Sequence, residues 1–187
     1  MVRIVAGTAR GRKLETLQGL DTRPTLDRVK EAAFGSLQFA IPYSTVLDLF
    51  SGSGNLGLEA ASRGAAHVVL NDSNPACTAI IARNAAALGL TSTTRILQAD
   101  YLTAIALLAA EGASFDIVFL DAPYHEGQAQ KAAHALFSRG MVKRGGTVML
   151  EHATDCPPVA EDGLFTIRKT KHYGTCSFSL LEGIEPS

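Results

Sequence analysis

The chain has 187 residues, 47% of them hydrophobic and 19% charged, with a formal net charge of −1. That is enough apolar material for the core of one domain, and a charged share ordinary for a soluble protein. No apolar run reaches the roughly 18 residues needed to cross a bilayer. MVRIVAGTARGRK at the start lacks the apolar core of a signal peptide, so a cytoplasmic location is expected. Cys77, Cys156 and Cys176 have no CxxC spacing; they read as reduced thiols, and no metal site is expected.

Charge is distributed unevenly. Residues 1–30 hold seven Lys/Arg against three acids, a net of +4 that leaves −5 on the remainder. A basic arm on an acidic body points to an anionic partner, and its Arg-Gly pairs and Thr-Arg-Pro-Thr are unlike a solvated tail. Residues 1–44 therefore read as an N-terminal basic extension, a short hairpin and then a helix with Leu26, Val29, Ala33 and Leu37 on one face. Residues 45–187 form the main domain. There, short apolar strands at 46–50, 66–70, 95–98, 115–120 and 147–151 alternate with helices at 57–63, 75–88, 102–111 and 127–138. Pro75 suits the first turn of its helix, with Ser73 or Asn74 as the cap. Strands alternating with helices imply βαβ units and a mostly parallel sheet. The last two strands, 165–171 and 176–181, leave no room for a helix between them and read as an antiparallel pair.

The first of these strands runs into VLDLFSGSGNLGLEA. Gly52, Gly54 and Gly57 satisfy G-x-G-x-x-G between a strand and a helix, the context in which the pattern signals a nucleotide cofactor. The glycines would let backbone approach the ligand and leave helix N–H groups free, as for a pyrophosphate. Asp48 argues against a dinucleotide, because a carboxylate there repels pyrophosphate and attracts an ammonium group. S-adenosyl-L-methionine has an amino-acid end, a ribose and an adenine but no phosphate, so it is the favoured cofactor. Asp72, at the end of VVLND, is placed to accept the ribose hydroxyls; Asn71 is the weaker candidate. Asp100, in LQADYL, either meets the adenine edge or caps the following helix. Phe50, Ser51, Ser73 and Tyr101 complete the expected cofactor-binding set.

The fourth strand ends in FLDAPYHEG. In a parallel sheet, ligands lie beyond the carboxyl ends of the strands, which places Asp121-Ala122-Pro123-Tyr124 beside the glycine loop. An exocyclic amine on a nucleobase is a poor nucleophile, since its lone pair is delocalised into the ring. Asp121 and the carbonyl of Ala122 could accept its two N–H groups and turn the lone pair toward a methyl sulfonium. Pro123 stiffens the loop, and Tyr124 offers a stacking face for an unstacked base.

LDLFSGSGNLGLEA with FLDAPY resembles class I S-adenosylmethionine-dependent methyltransferases that act on amines through a D/N-P-P-Y/F motif. RIVAGTARGRKL, TRPTLDRVKEAAF and KHYGTCSFSLL sharpen this, and together they resemble the RsmD family of 16S rRNA guanine-N2 methyltransferases over nearly the whole chain. The resemblance implies a Rossmann-like α/β fold, a mostly parallel seven-stranded sheet whose last strand is antiparallel. It implies methyl transfer to guanine N2, by resemblance guanine-966, in partly assembled small subunits carrying ribosomal proteins, by a monomer. Arg10, Arg12, Lys13, Arg23 and Arg28 would then face RNA phosphate. The chain departs from the family in Ala122, where proline is usual, in Phe34-Gly35, and in Asp72, where Glu is common. Only the backbone carbonyl of Ala122 is needed.

Glu151-His152, after the fifth strand, reads as a polar strand end without further spaced ligands. Arg168, Lys169, Lys171 and His172 either help to grip RNA or protect an edge strand. Three rival functions stand beside the main reading. An adenine-N6 methyltransferase on nucleic acid would use the same amine-binding motif, but usually carries a target-recognition region for which 187 residues leave little room. A non-catalytic rRNA-binding assembly factor has Ala122 as its sequence support. A dehydrogenase is disfavoured by Asp48.

Overall fold

A computed structural model describes residues 2–17, 24–122, 127–160 and 163–184, with side chains from residue 28 onward in the first helix. The elements in chain order are α1 (Pro24–Leu37), β1 (Thr45–Asp48), α2 (Asn55–Ser62), β2 (His67–Asn71), α3 (Pro75–Leu88) and β3 (Thr94–Leu97). Then come α4 (Tyr101–Ala110), β4 (Phe115–Leu120), α5 (Gln128–Ser138), β5 (Val142–Ala153), β6 (Phe165–Tyr173) and β7 (Cys176–Gly183). The seven strands form one sheet in the order β3-β2-β1-β4-β5-β7-β6. β3, β2, β1, β4 and β5 pair in parallel, while β7 inserts between β5 and β6 and runs antiparallel to both. The last strand is thus the reversed one, as expected. Among the described residues no helix is long and apolar enough to cross a membrane.

Side chains alternate across a strand, and the sheet accordingly has two buried faces. Val46, Val68, Ile117, Phe119, Met149, Phe178 and Leu180 belong to one core, packed beneath Val2, Ile4, Leu14, Val29, Ala33, Phe34 and Leu37. Leu47, Val118, Leu120, Val148, Leu150 and Leu181 belong to the other, against α4 and α5 through Ile105, Leu108, Ala132 and Leu136. The N-terminal residues therefore share a core with the sheet. Arg3 and Lys13 form an isolated antiparallel bridge. Val29, Ala33 and Leu37 are buried; Leu26 lies outside the described side chains.

A buried ionic cluster locks this N-terminal layer to α2. The Lys30 ammonium donates to the Arg3 carbonyl (3.0 Å) and to Asn55 Oδ1 (2.6 Å), and pairs with Glu59 Oε2 at 2.9 Å. Glu59 also accepts from the N–H groups of Val5 and Ala6 and from Arg63 Nε. Burial alone would raise the Glu59 carboxyl, but Lys30 and these donors outweigh it and hold it below its ordinary value. Lys30 is 2% exposed, so one of the seven cations counted toward the basic arm is structural.

Two strand features depart from the predicted pattern in instructive ways. β5 begins at Val142, not 147, because the chain continues as strand through Gly145-Gly146, alongside an irregularity in the β4 register between Phe115 and Ile117. A Cβ on Gly146 would lie 2.8 Å from the Lys143 carbonyl oxygen, so only glycine lets the strand pass. β6 contains a register shift between Ile167 and Lys169. Beyond it, Lys169 and Lys171 sit opposite Leu180 and Phe178, on the face covered by α1. One extra residue in a bulged strand re-aims the side chains that follow.

Candidate active site

The loop after β1 is shaped by two left-handed glycines, Gly52 (φ 55°) and Gly54 (φ 85°), a conformation that favours residues without a Cβ. Gly54 is the N-cap of α2. Ser51 fixes the turn, its Oγ donating to the Asp48 carbonyl at 2.7 Å and its N–H to the Asn71 carbonyl at 2.9 Å. Asn84 of α3 donates to the Ser53 carbonyl and exchanges hydrogen bonds with the backbone of Glu15, tying the loop to the N-terminal segment.

Asp48 is 1% exposed, and its Oδ2 accepts the N–H of Gly57 at 2.8 Å. This corrects the expectation that the helix N–H groups at the glycine motif stand free: the protein's own carboxylate occupies one of them. A buried carboxylate bonded to this helix end disfavours a pyrophosphate there, by its charge and by the donor it takes up. Asp48 Oδ1 is buried without a hydrogen-bond partner among the described residues, an orphaned acceptor of the kind that marks a site for a donor. Burial pushes the Asp48 carboxyl up to about 7, and the nearby Asp72 charge adds to this.

Asp72 Oδ2 accepts from Gly52 N–H and its Oδ1 from Asn74 N–H, both at 2.8 Å. The carboxylate is half-buried at the rim of the glycine loop, and each oxygen keeps lone-pair capacity for a diol. The α3 cap is Asn74, which accepts from Ala76 N–H; Ser73 is exposed. Asn71 Nδ2 bridges the carbonyls of Leu49 and Ala99, holding the ends of β1 and β3 together. Asp100 takes the capping alternative: it accepts from Leu102 N–H, Thr103 N–H and Thr103 Oγ1. Phe50 and Tyr101 face each other across the same end of the sheet, ring centroids 5.6 Å apart.

At the end of β4, Ala122 is buried and Asp121 is half-buried. Pro123 and Tyr124 lie outside the described residues, as does Arg23. Continuing the alternation of the first core, Asp48 and Glu151 fall on the α1 face at the ends of β1 and β5, with Asp121 just past the end of β4 between them. Burial, then the charges of Glu151 and Asp48, raise the Asp121 carboxyl well above its ordinary value. Glu151 is 4% exposed, and Cys176 Sγ–H donates to its Oε1 at 3.1 Å. His152 points to the opposite face, its Nε2 bonded to Ser179 Oγ. Strand parity separates these two neighbours, which look like one polar strand end in the sequence.

Of the basic residues, Arg10, Lys13 and Arg28 are exposed. Arg12 is exposed too, but its Nη2 donates to the Ala87 carbonyl at the end of α3, so part of its guanidinium serves to dock the N-terminal segment.

Gly57 allows α2 to approach β1 and β2. A Cβ there would lie 2.7 Å from Leu70 Cδ2 and 3.1 Å from Asp48 Oδ2. Gly57→Ala is expected to displace the Asp48 carboxylate, destabilise the fold by about 1–3 kcal/mol through overpacking, and weaken cofactor binding at least ~10-fold. Isothermal titration with S-adenosylmethionine, alongside urea unfolding, checks both effects.

A strand-end site on a sheet of this order is that of a Rossmann-like methyltransferase. A family model described as "Conserved hypothetical protein 95" matches residues 2–182. The chain is 35% identical over 185 residues to ribosomal RNA small subunit methyltransferase D of Haemophilus influenzae, covering 97% of this chain and 93% of that one. It is 34% identical over 166 residues to the Escherichia coli K12 protein of the same name, covering 89% and 79%. A solved structure of a hypothetical protein from Thermus thermophilus superposes with a TM-score of 0.84 at 29% identity, covering 97% of this chain and 99% of that one. The chain belongs to the ribosomal RNA small subunit methyltransferase D family.

Proposed function

We propose that the protein transfers a methyl group from S-adenosyl-L-methionine to the exocyclic N2 of a guanine in 16S rRNA, within the partly assembled small subunit. The observation that carries this reading is the position of Asp121 and the Ala122 carbonyl at the end of β4, adjacent to the strand whose buried Asp48 has an orphaned oxygen. When bound, S-adenosylmethionine supplies an electrophilic methyl group on sulfur. Asp48 attracts the cofactor's ammonium, Asp72 accepts from its ribose, and the backbone around Ala99, Asp100 and Tyr101 meets its adenine. Asp121 and the Ala122 carbonyl accept the two N–H groups of the guanine amine and orient its lone pair. Alignment and preorganised acceptors supply the acceleration. No general base is required, because the methylated amine loses its proton to water. Arg10, Lys13, Arg23 and Arg28, with the remaining donors of Arg12, hold the RNA backbone.

The test is label transfer from methyl-labelled S-adenosylmethionine to unmethylated small subunits, naked 16S rRNA and DNA. Incorporation into the subunits is expected; incorporation into DNA in their place would move the protein to the nucleic-acid adenine methyltransferases.

Cofactor binding should depend on pH through Asp48. A carboxyl raised from 3.8 to about 7 contributes stability that is complete below 3.8 and is lost as pH rises through 7. A bound ammonium reverses the preference, since it favours the ionised form. Affinity for S-adenosylmethionine is therefore expected to rise about fivefold from pH 6 to pH 7, before the cofactor's own amine, with a pKa of about 8, begins to lose its proton. Titration calorimetry at the two pH values measures this, and a flat profile would remove Asp48 from the ammonium site.

A further inference from the structure

Glu151 has no part in the transfer chemistry above, yet it is buried at the reacting edge of the sheet. Leu120 pairs with Leu150 across β4 and β5, so residues 121 and 151 lie in step on neighbouring strands, about 4.8 Å apart as paired strands are. Both acids extend from the face formed by Phe119 and Met149. Glu151 is steered by the thiol of Cys176, which reaches it from β7. The proximity also shows in Asp121, whose carboxyl is raised by burial first and by the Glu151 charge second.

Two nucleobases carry an exocyclic amine beside a ring nitrogen N1, and they differ in what N1 offers. In guanine, N1–H is a donor next to the two N–H groups of N2. In adenine, N1 is an acceptor next to the two N–H groups of N6. A carboxylate facing N1 attracts the first base and repels the lone pair of the second. Asp121 and the Ala122 carbonyl read only the amine, which both bases share.

Building on the guanine reading above, we propose that Glu151 is the residue that selects guanine, by accepting its N1–H while Asp121 and the Ala122 carbonyl hold the 2-amino group. Cys176 positions the Glu151 carboxylate. Specificity then comes from one acid on β5, and amine chemistry from one acid on β4.

The test uses 2-aminopurine, which keeps the 2-amino group but has an acceptor at N1. Small subunits are reconstituted from ligated 16S rRNA with guanine or 2-aminopurine at the position that the wild-type protein methylates. Wild-type protein is expected to favour guanine by about 10–100-fold in kcat/KM, the size of a hydrogen bond to a charged group. Glu151→Gln can turn its amide to donate to an N1 acceptor, so its preference should shrink to within about threefold, with S-adenosylmethionine affinity unchanged. Equal rates on both bases by the wild-type protein would overturn the inference without help from any variant. So would a wild-type preference retained in Glu151→Gln. Failure of the wild-type protein to methylate guanine-containing subunits would instead bring down the functional reading itself, and this inference with it.

Discussion

Replacing Asp121 with alanine is expected to lower methyl transfer by about 10²–10³-fold or more, the range seen when one preorganised polar group is removed from a reacting centre. Affinity for S-adenosylmethionine should change less than about threefold, because Asp48, the glycine loop and Asp72 lie on other elements. Asp121→Asn keeps an acceptor but not the charge, and should fall between the two. Since burial and the neighbouring acids raise the Asp121 carboxyl, its protonated form predominates at low pH and accepts poorly. Transfer should therefore rise with pH in the wild-type protein, and this limb should disappear in Asp121→Asn. Single-turnover label transfer, with cofactor binding measured in parallel, separates these effects. Full activity in the alanine variant would remove the amine-holding role.

Glu59→Ala is expected to be strongly destabilising. It would take the Glu59 carboxylate from the Lys30 ammonium, 2% exposed, and leave the N–H groups of Val5 and Ala6 without the acceptor they now have. Breaking a buried ion pair by removing one partner costs about 3–5 kcal/mol, and for a chain of this size each kcal/mol lowers Tm by about 2–4 °C. A loss of about 6–20 °C is expected in thermal unfolding. Because Lys30 also holds Asn55, directly after Gly54, cofactor affinity should weaken in the same variant. Glu59→Gln keeps an acceptor for the two N–H groups and should lose less.

Much of this architecture was legible in the chain. The strand Phe115–Leu120 and the helix Pro75–Leu88 have the predicted bounds, because an apolar run interrupted only by Asp116 and a Pro-initiated, Gly-terminated helix carry their own start and stop signals. The reversed final strand also followed from the missing helix. The glycine loop and the two strand-end acids were visible as motifs in order. What stayed hidden depends on pairing across the sheet. Strand register decides that Asp48 turns back to Gly57, that Glu151 and His152 part company, and that the bulge after Ile167 carries Lys169 and Lys171 to the α1 face. Burial is equally nonlocal: Lys30 counts as a surface cation until Glu59, twenty-nine residues later, folds over it. Asp100 had two roles open, and only the backbone N–H groups of Leu102 and Thr103 show that capping is one it performs.

The measurement that bears most directly on the central claim is the identity of the methylated nucleoside. Unmethylated small subunits incubated with the protein and S-adenosylmethionine are digested to nucleosides and resolved by mass spectrometry. N2-methylguanosine, in an amount near one per subunit, is the predicted product. N6-methyladenosine would mean that the amine site at Asp121 is right and that the base assigned to it is wrong; no methylated nucleoside despite cofactor binding would contradict the catalytic account as a whole.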